Sequence, residues 1–391
     1  SLIQDGEPTM APGYYIGGYA SGHPAMVPVV DVVEVGAGGG SIAWIDEVGA
    51  LKVGPQSAGA DPGPIAYRRG GQEPTITDAN IALGRIGAED FLGGEMPLDV
   101  AGALRGIETR IAQPLGLSWV KAAQAIVDIA VAKMSLAVRQ VSVEKGHDPR
   151  DFVLLASGGA GPLHAVAVAR ELNIPKVIIP RFPGHFSAFG MLLADQKHDF
   201  VQTYLRPWDG LDLEEAWRRL AAMAEEGRKT VALERLAERI SHRWFFDMRY
   251  VGQEFTISVP LEEADLRAGD KDAIRRAFDQ IHERHYGHHA PEEPVEVVNL
   301  RVTLVGIRPK PAWRRIPSTE TAPRPKFRPV YLHGDEPVDC AIWYRDTLPA
   351  GFRVVGPAII QEYASTTLLY PQDVAEVAET GEIVITLGGE A

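Results

Sequence analysis

A single cysteine, Cys340, stands in a chain of 391 residues. One thiol allows no intrachain disulfide framework and no cysteine-based zinc site. Such sparing use of cysteine fits a reducing cytoplasm, which is the expected compartment. No run of about 18 apolar residues occurs, so no transmembrane helix is expected. The opening residues Ser1, Leu2, Ile3 and Gln4 bring neither the basic segment nor the apolar core of a signal peptide. Positive charge is short as well. Against 52 Asp and Glu there are 39 Lys and Arg, a net charge of −13, which disfavours nucleic acid and anionic membranes as partners. Neither is expected here.

Glycine is plentiful, and its placement carries the chemistry. Residues 152–177 read as strand, glycine turn, helix, strand, a βαβ unit in a parallel sheet. The turn is Gly158-Gly159-Ala160-Gly161-Pro162. Glycines there let backbone approach a ligand where Cβ atoms would clash. Pro162 suits the first helical position, and the helix start offers free N–H groups to an anion or a polar ligand. The alternative is a tight strand-to-helix turn that holds nothing.

A second glycine run lies upstream. Residues 27–35 are β-branched and predict a strand, which runs into Gly36, Ala37, Gly38, Gly39, Gly40 and Ser41. Four glycines and a serine between strands can form a concave nest of N–H groups suited to phosphate oxygens. The run is neither a Walker loop nor a Rossmann fingerprint, because no helical pattern follows it. A flexible glycine hinge is the alternative. Residues 42–45 and 51–53 predict a hairpin. The loop 54–71 lacks periodicity, and loops of that length are usually functional. Its Asp61 is a candidate carboxylate. Residues 75–80 open a helix that Thr77 or Asp78 can cap. Asp78 is therefore a cap first and a water- or metal-holding candidate second. His185, in the loop after the second strand, is either a catalytic or ligand-binding histidine or a structural one. His282, His285, His288 and His289 read as surface or packing residues, so no metal site is assigned.

The remaining pattern divides the chain. Helices are predicted over 99–115, 121–145 and 187–193, a long charged helix or pair over 211–240, and another helix over 270–286. Strands are predicted over 201–205, 244–250, 254–259 and 295–307. Domain bounds follow: an α/β region over 1–205, an α+β domain over 206–310, a proline-rich linker over 311–328 and a small β domain over 329–391. Asp5-Gly6 predicts a hairpin turn at the start. A chain opening in mid-hairpin is expected to be part of something longer.

Four motifs occur in one order: Val35 to Trp44; Gly54-Pro55-Gln56-Ser57-Ala58-Gly59-Ala60-Asp61-Pro62-Gly63-Pro64; Glu73-Pro74-Thr75-Ile76-Thr77-Asp78-Ala79-Asn80; and Gly158 to His164. Together with Tyr250-Val251-Gly252-Gln253 and Gly356-Pro357-Ala358-Ile359, they resemble the hydantoinase A / 5-oxoprolinase family, which includes acetone and acetophenone carboxylase subunits. The resemblance implies the second half of an actin-like ATPase fold (ribonuclease H-like). It implies ATP with Mg²⁺, and phosphorylation of the carbonyl oxygen of a cyclic amide for ring-opening hydrolysis. The same chemistry on a ketone enol, leading to carboxylation, is the first alternative, and a non-catalytic assembly subunit the second. On this resemblance Gly158, Gly159, Ala160, Gly161 and Pro162 match an adenosine-side motif, while Gly36, Gly38, Gly39, Gly40 and Ser41 lie near the phosphates.

Two departures accompany it. The Asp- and Thr-containing glycine loops that relatives carry upstream are absent, so the acidic residues that hold Mg²⁺ are expected on an N-terminal half, in the same protein or on a separate chain. Ile65-Ala66-Tyr67-Arg68 replaces the usual Ala-Cys-Tyr-Gly, which removes any thiol role. A hydantoinase B-like partner, and hence a hetero-oligomer, is also implied.

Overall fold

The computed structural model describes residues 1–11, 14–16, 22–25, 29–233, 237–317 and 323–389. The chain divides into two compact units: Ser1–Thr9, Asp31–Phe189 and Trp313–Ala391 form one, and Met10–Val30 with Gly190–Ala312 form the other.

The first unit holds the predicted βαβ element. Leu154–Leu155 and Lys176–Ile179 pair in parallel, Val177 opposite Leu154, and the helix Gly161–Glu171 connects them. Leu163, Ala165, Val166, Val168 and Ala169 are all buried, so this helix is enclosed on most of its sides rather than along one stripe. The helix begins at Gly161, so Pro162 sits one position further in than expected. The start of the chain is the predicted hairpin: Ile3–Gln4 pairs with Glu7–Pro8, with Asp5 and Gly6 at φ of 51° and 79°. Two positive φ values are what a tight type I′ turn requires. Ser41–Ile45 and Leu51–Ser57 form the second predicted hairpin.

Helix 99–115 resolves into Val100–Ile107, capped by Asp99, then a wider turn Glu108–Ala112 and Gln113–Leu115. Trp119–Val141 is capped by the Ser118 side chain. It buries Ala122, Ala123, Ile126, Val127 and Ala130 against the same core as Ile359 and Ile385.

That shared core overturns the expected bounds. Residues 329–391 are no separate β domain. Ile383–Thr386 lies antiparallel to Lys176–Ile179. The result is one five-stranded mixed sheet in the order Arg353–Val355, Val374–Val377, Ile383–Thr386, Lys176–Ile179, Leu154–Leu155. Ile383 and Ile385 alternate into the core shared with the βαβ unit at 0% exposure. A four-stranded sheet, Lys326–Val330, Val338–Tyr344, Ala358–Glu362 and Ser365–Leu369, packs into this core as well. Arg85 ties the segment down by donating to the carbonyls of Tyr331 (3.0 Å) and Leu332 (2.7 Å). The expected linker is partly strand from Lys326 on, and the Trp313 ring lies tilted against Phe189, centroids 4.8 Å apart. Its residues 318–322 lie outside the described residues. Cys340 is fully buried, and burial pushes its thiol up to about 11, which leaves it inert.

The second unit is the α+β region, but it starts at Gly190 and takes in residues 10–30 rather than beginning at 206. Its sheet runs Gln196–Pro207, Val295–Ile307, Arg239–Tyr250, Ile257–Leu261, all antiparallel. Leu213–Leu233 is one helix, residues 234–236 of the expected helical stretch lie outside the described residues, and Arg239–Tyr250 is strand, with Phe246 and Met248 alternating into the core. The expected strand over 27–35 shrinks to Val29–Val30, and residues 27 and 28 lie outside the described residues. His282 is a packing histidine, as read: it is buried, its Nδ1 lies 2.7 Å from the His288 carbonyl, and Tyr250 and Phe278 surround it. Among the described residues no cluster of three or more metal-ligating side chains occurs.

Candidate functional site

The glycine turns are fixed by different devices. In the upstream run Ser41 is the clasp. Its N–H donates to the Gly38 carbonyl (2.8 Å), and its hydroxyl accepts from the Gly38 N–H (3.0 Å). The Thr77 N–H, in the first turn of the helix Ile76–Ala82, donates to the Gly39 carbonyl (2.9 Å). A Cβ added at Gly39 would fall 2.7 Å from the Thr77 hydroxyl, and one at Gly40 would fall 2.8 Å from the Ser57 hydroxyl. Only glycine fits those two places without displacing a neighbour. The downstream turn is clasped by its own contacts: the Gly158 N–H donates to the Pro183 carbonyl (2.7 Å), and the Ser365 hydroxyl donates to the Gly158 carbonyl (3.4 Å).

Both turns open onto one cavity of about 330 Å³, within the range of small-molecule sites. Gly39 and Gly40 line it from one side, Gly159 and Ala160 from another. Gly36, Gly38, Ser41, Gly158, Gly161 and Pro162 lie in the turns but are not part of its wall. No hydrogen bond among the described residues is donated by the N–H groups of Gly39, Gly40, Gly159 or Ala160. Four main-chain donors thus gather beside a cavity, an arrangement suited to oxygen-rich or anionic ligands. Tyr67, Ile86, Phe91 and Leu163 add apolar wall. Burial raises the Tyr67 hydroxyl above its ordinary range.

The third side escaped sequence reading. The turn joining strands Ala358–Glu362 and Ser365–Leu369 supplies residues 361–366. Gln361 is nearly fully buried, and its Oε1 has no hydrogen-bond partner, so this wall carries an open acceptor. Glu362 is pinned through Oε1 by Arg345 (3.1 Å), and burial pushes its carboxyl up to about 7 despite that partner. The sequence signal was there, a polar Gln361-Glu362 closing an apolar Ala358-Ile359-Ile360 run, but nothing local places it beside Gly159 or the still more distant Gly39 and Gly40.

The three catalytic candidates disperse. Asp78 is fully buried and committed to structure. One oxygen accepts from the Ala66 N–H (2.8 Å); the other accepts from the N–H groups of Ile65 (3.2 Å) and Thr75 (2.9 Å) and from the Thr75 hydroxyl (2.8 Å). Thr75, not Thr77 or Asp78, is the N-cap, and Asp78 completes a capping box at the third helical position. Burial raises its pKa and the four bonds oppose that rise. Asp61 is exposed and outside the cavity wall. His185 is exposed and lines a different cavity.

Residues 1–200 match the hydantoinase/oxoprolinase family, and residues 208–383 match the hydantoinase/oxoprolinase C-terminal domain. Caprolactamase subunit alpha of Pseudomonas jessenii is 36% identical over 88% of this chain and 51% of its own length. The crystal structure of the ATP-dependent caprolactamase from Pseudomonas jessenii superposes with a TM-score of 0.78 at 34% identity, over 94% of this chain and 54% of that one. The nucleotide-free structure of acetone carboxylase, an ATP-dependent enzyme, superposes with a TM-score of 0.79 at 27% identity, over 99% and 56%. The chain spans about half the length of these relatives.

Proposed function

Since the chain belongs to the hydantoinase/oxoprolinase family, we propose that it is the nucleotide-holding part of an ATP-dependent enzyme that opens a cyclic amide. We read its first unit as the second half of an actin-like ATPase fold. The observation that carries the proposal is the meeting of both glycine turns in one cavity with unused N–H groups on each. These donors would face phosphate and ribose oxygens. The buried Gln361 Oε1 is an acceptor suited to the exocyclic amine of adenine. Bound ATP would supply a phosphoryl group that turns a poor leaving oxygen, the amide carbonyl's, into a good one. The residues of this chain hold and orient the nucleotide and keep water from its phosphates.

No acidic cluster among the described residues would hold Mg²⁺. We therefore place the metal ligands on a partner segment, an N-terminal half in the same protein or another chain, and expect a hydantoinase B-like subunit in a hetero-oligomer in the cytoplasm. The likeness to acetone carboxylase over 99% of the chain favours a second reading, phosphorylation of a ketone enol before carboxylation.

The test is nucleotide binding followed by stimulated hydrolysis. A Cβ at Gly159 would lie 3.1 Å from the Ala364 carbonyl, which must give by a few tenths of an ångström, and since both residues line the cavity a valine adds bulk at its wall. Gly159→Val is expected to weaken binding of a non-hydrolysable ATP analogue at least tenfold with the fold intact. In the full assembly, ATP hydrolysis stimulated by caprolactam, 5-oxoproline or hydantoin supports the amide reading. Stimulation by acetone with bicarbonate supports the ketone reading. Unaltered analogue binding in the variant, or none in the parent protein, leaves an assembly subunit.

A further inference from the structure

On the other face of the turn 362–364 lies a second cavity of about 500 Å³ within the same unit. Glu362, Tyr363 and Ala364 line both cavities. Its polar lining carries charge of both signs. Arg181 and His185 stand on the loop after Lys176–Ile179, while Glu362 and Asp346 bring carboxylates. Between them Phe182, Ile316, Leu348 and Val377 give apolar wall.

The charged groups are not equally available. Arg345 is spent on the protein: it donates to Glu362 Oε1 (3.1 Å) and to the carbonyls of Ile179 (3.3 Å) and Gly381 (2.7 Å). Arg181 uses one guanidinium nitrogen on the Arg314 carbonyl (3.0 Å) and retains the rest of its fork. Glu362 uses only Oε1, so Oε2 accepts nothing among the described residues. A ligand of one sign can pair with only one end of this wall. A ligand carrying both signs around a short apolar body satisfies both.

We propose that this cavity is a binding site for a small zwitterionic amino acid, its carboxylate taken by Arg181 and His185 and its ammonium by Glu362 Oε2. Ring opening of a lactam yields this class of molecule, so the site extends the amide reading above and rests on it. Its binding is linked to pH. Burial pushes Glu362 up to about 7, and an ammonium partner favours the ionised carboxylate. Arg345, already paired with Glu362, and Asp346 are the charged groups that act on it; Arg181 and His185 share this cavity's wall with it, and Asp90 shares the other cavity's. Affinity for the zwitterion therefore rises as pH is raised from 6 to 8.

The experiment is calorimetric titration with 6-aminohexanoate, with hexanoate and hexylamine as single-charge controls, at pH 6 and pH 8. The zwitterion is expected to bind at least tenfold tighter than either control at pH 8. Arg181→Met should abolish its advantage over hexylamine, and Glu362→Gln its advantage over hexanoate and its pH dependence. Hexanoate in the same pH series reports on the carboxylate end of the site alone. Because Glu362→Gln leaves Arg345 with a weaker partner, its melting is followed in parallel, and Arg181→Met at the half-exposed rim gives an independent arm. Equal binding of the three probes, no effect of Arg181→Met, or one-for-one displacement of 6-aminohexanoate by an ATP analogue overturns the site. Analogue binding measured alone reports on the nucleotide cleft, so either proposal can fail without the other.

Discussion

Asp78→Ala tests whether the acid beside the glycine cleft is structural. In the folded protein its carboxylate satisfies the N–H groups of Ile65, Ala66 and Thr75 and the Thr75 hydroxyl. Ala66 and Thr75 are fully buried, so water cannot readily replace the lost acceptor. Two orphaned buried N–H groups cost roughly 1–3 kcal/mol each. The broken capping box adds about 1 kcal/mol. The sum, roughly 3–7 kcal/mol, is a large share of the 5–15 kcal/mol that holds a domain together. With a urea slope of about 2–3 kcal/mol/M, the unfolding midpoint followed by circular dichroism should fall by roughly 1–3 M. Asp78→Asn is the informative partner. One amide oxygen can still serve Ile65 and Thr75, leaving only the Ala66 N–H unpaired, so the loss should be about 1–3 kcal/mol. In the full assembly Asp78→Asn should hydrolyse ATP at close to the parent rate below its own melting temperature. A variant as stable as the parent but unable to turn over ATP would refute the structural assignment and return Asp78 to the chemistry.

Two buried groups should give the first unit opposing pH slopes. Glu362 is raised from about 4.5 unfolded to about 7 folded, so the folded state holds the proton more tightly. Its contribution is fully present below pH 4.5 and is lost as pH rises through 7. At about 1.4 kcal/mol per pKa unit that is up to about 3 kcal/mol. Relative to the parent, Glu362→Gln should therefore gain stability between pH 5 and pH 8; a constant offset refutes this. His164 sits 3% exposed in the helix Gly161–Glu171, and burial, aided by Arg85, depresses it to about 4. Its contribution is present above pH 6.5 and is lost as pH falls towards 4, again by up to about 3 kcal/mol. His164→Leu should flatten the acid limb of a stability–pH curve, and an unchanged limb would count against a neutral buried histidine. Between pH 4.5 and 6.5 the two slopes oppose each other, so the parent should look flat there while each variant tilts in its own direction.

What could be read from sequence follows the range over which the information acts. Hairpins at residues 3–8 and 41–57, the βαβ unit and the glycine turns are written in neighbouring residues, where turn chemistry and a period of two or 3.6 decide the local structure. The cap of the helix Ile76–Ala82 was misplaced by two or three positions because Thr75, Thr77 and Asp78 all have capping side chains. The extended backbone of Thr75, with its hydroxyl accepting the Asp78 N–H (3.3 Å), distinguishes them. The C-terminal strands failed differently. A run such as Ile383–Thr386 specifies which face is buried but not which sheet receives it, and its partner lies some 200 positions upstream. The same distance hid residues 361–366, the third wall of the cleft. A motif search rewards residues that touch a ligand with their neighbours in sequence. Here the backbone donors come from two glycine turns and the side-chain acceptors from a strand end. Burial in one core unites them: Gln361 at 5% exposure and Gly159 at the mouth of its helix meet because Ala358, Ile359 and Ile360 are driven inside. The site's chemistry was therefore half legible: the donors belong to turns that any sequence displays, and the acceptors to a packing decision made by the whole unit.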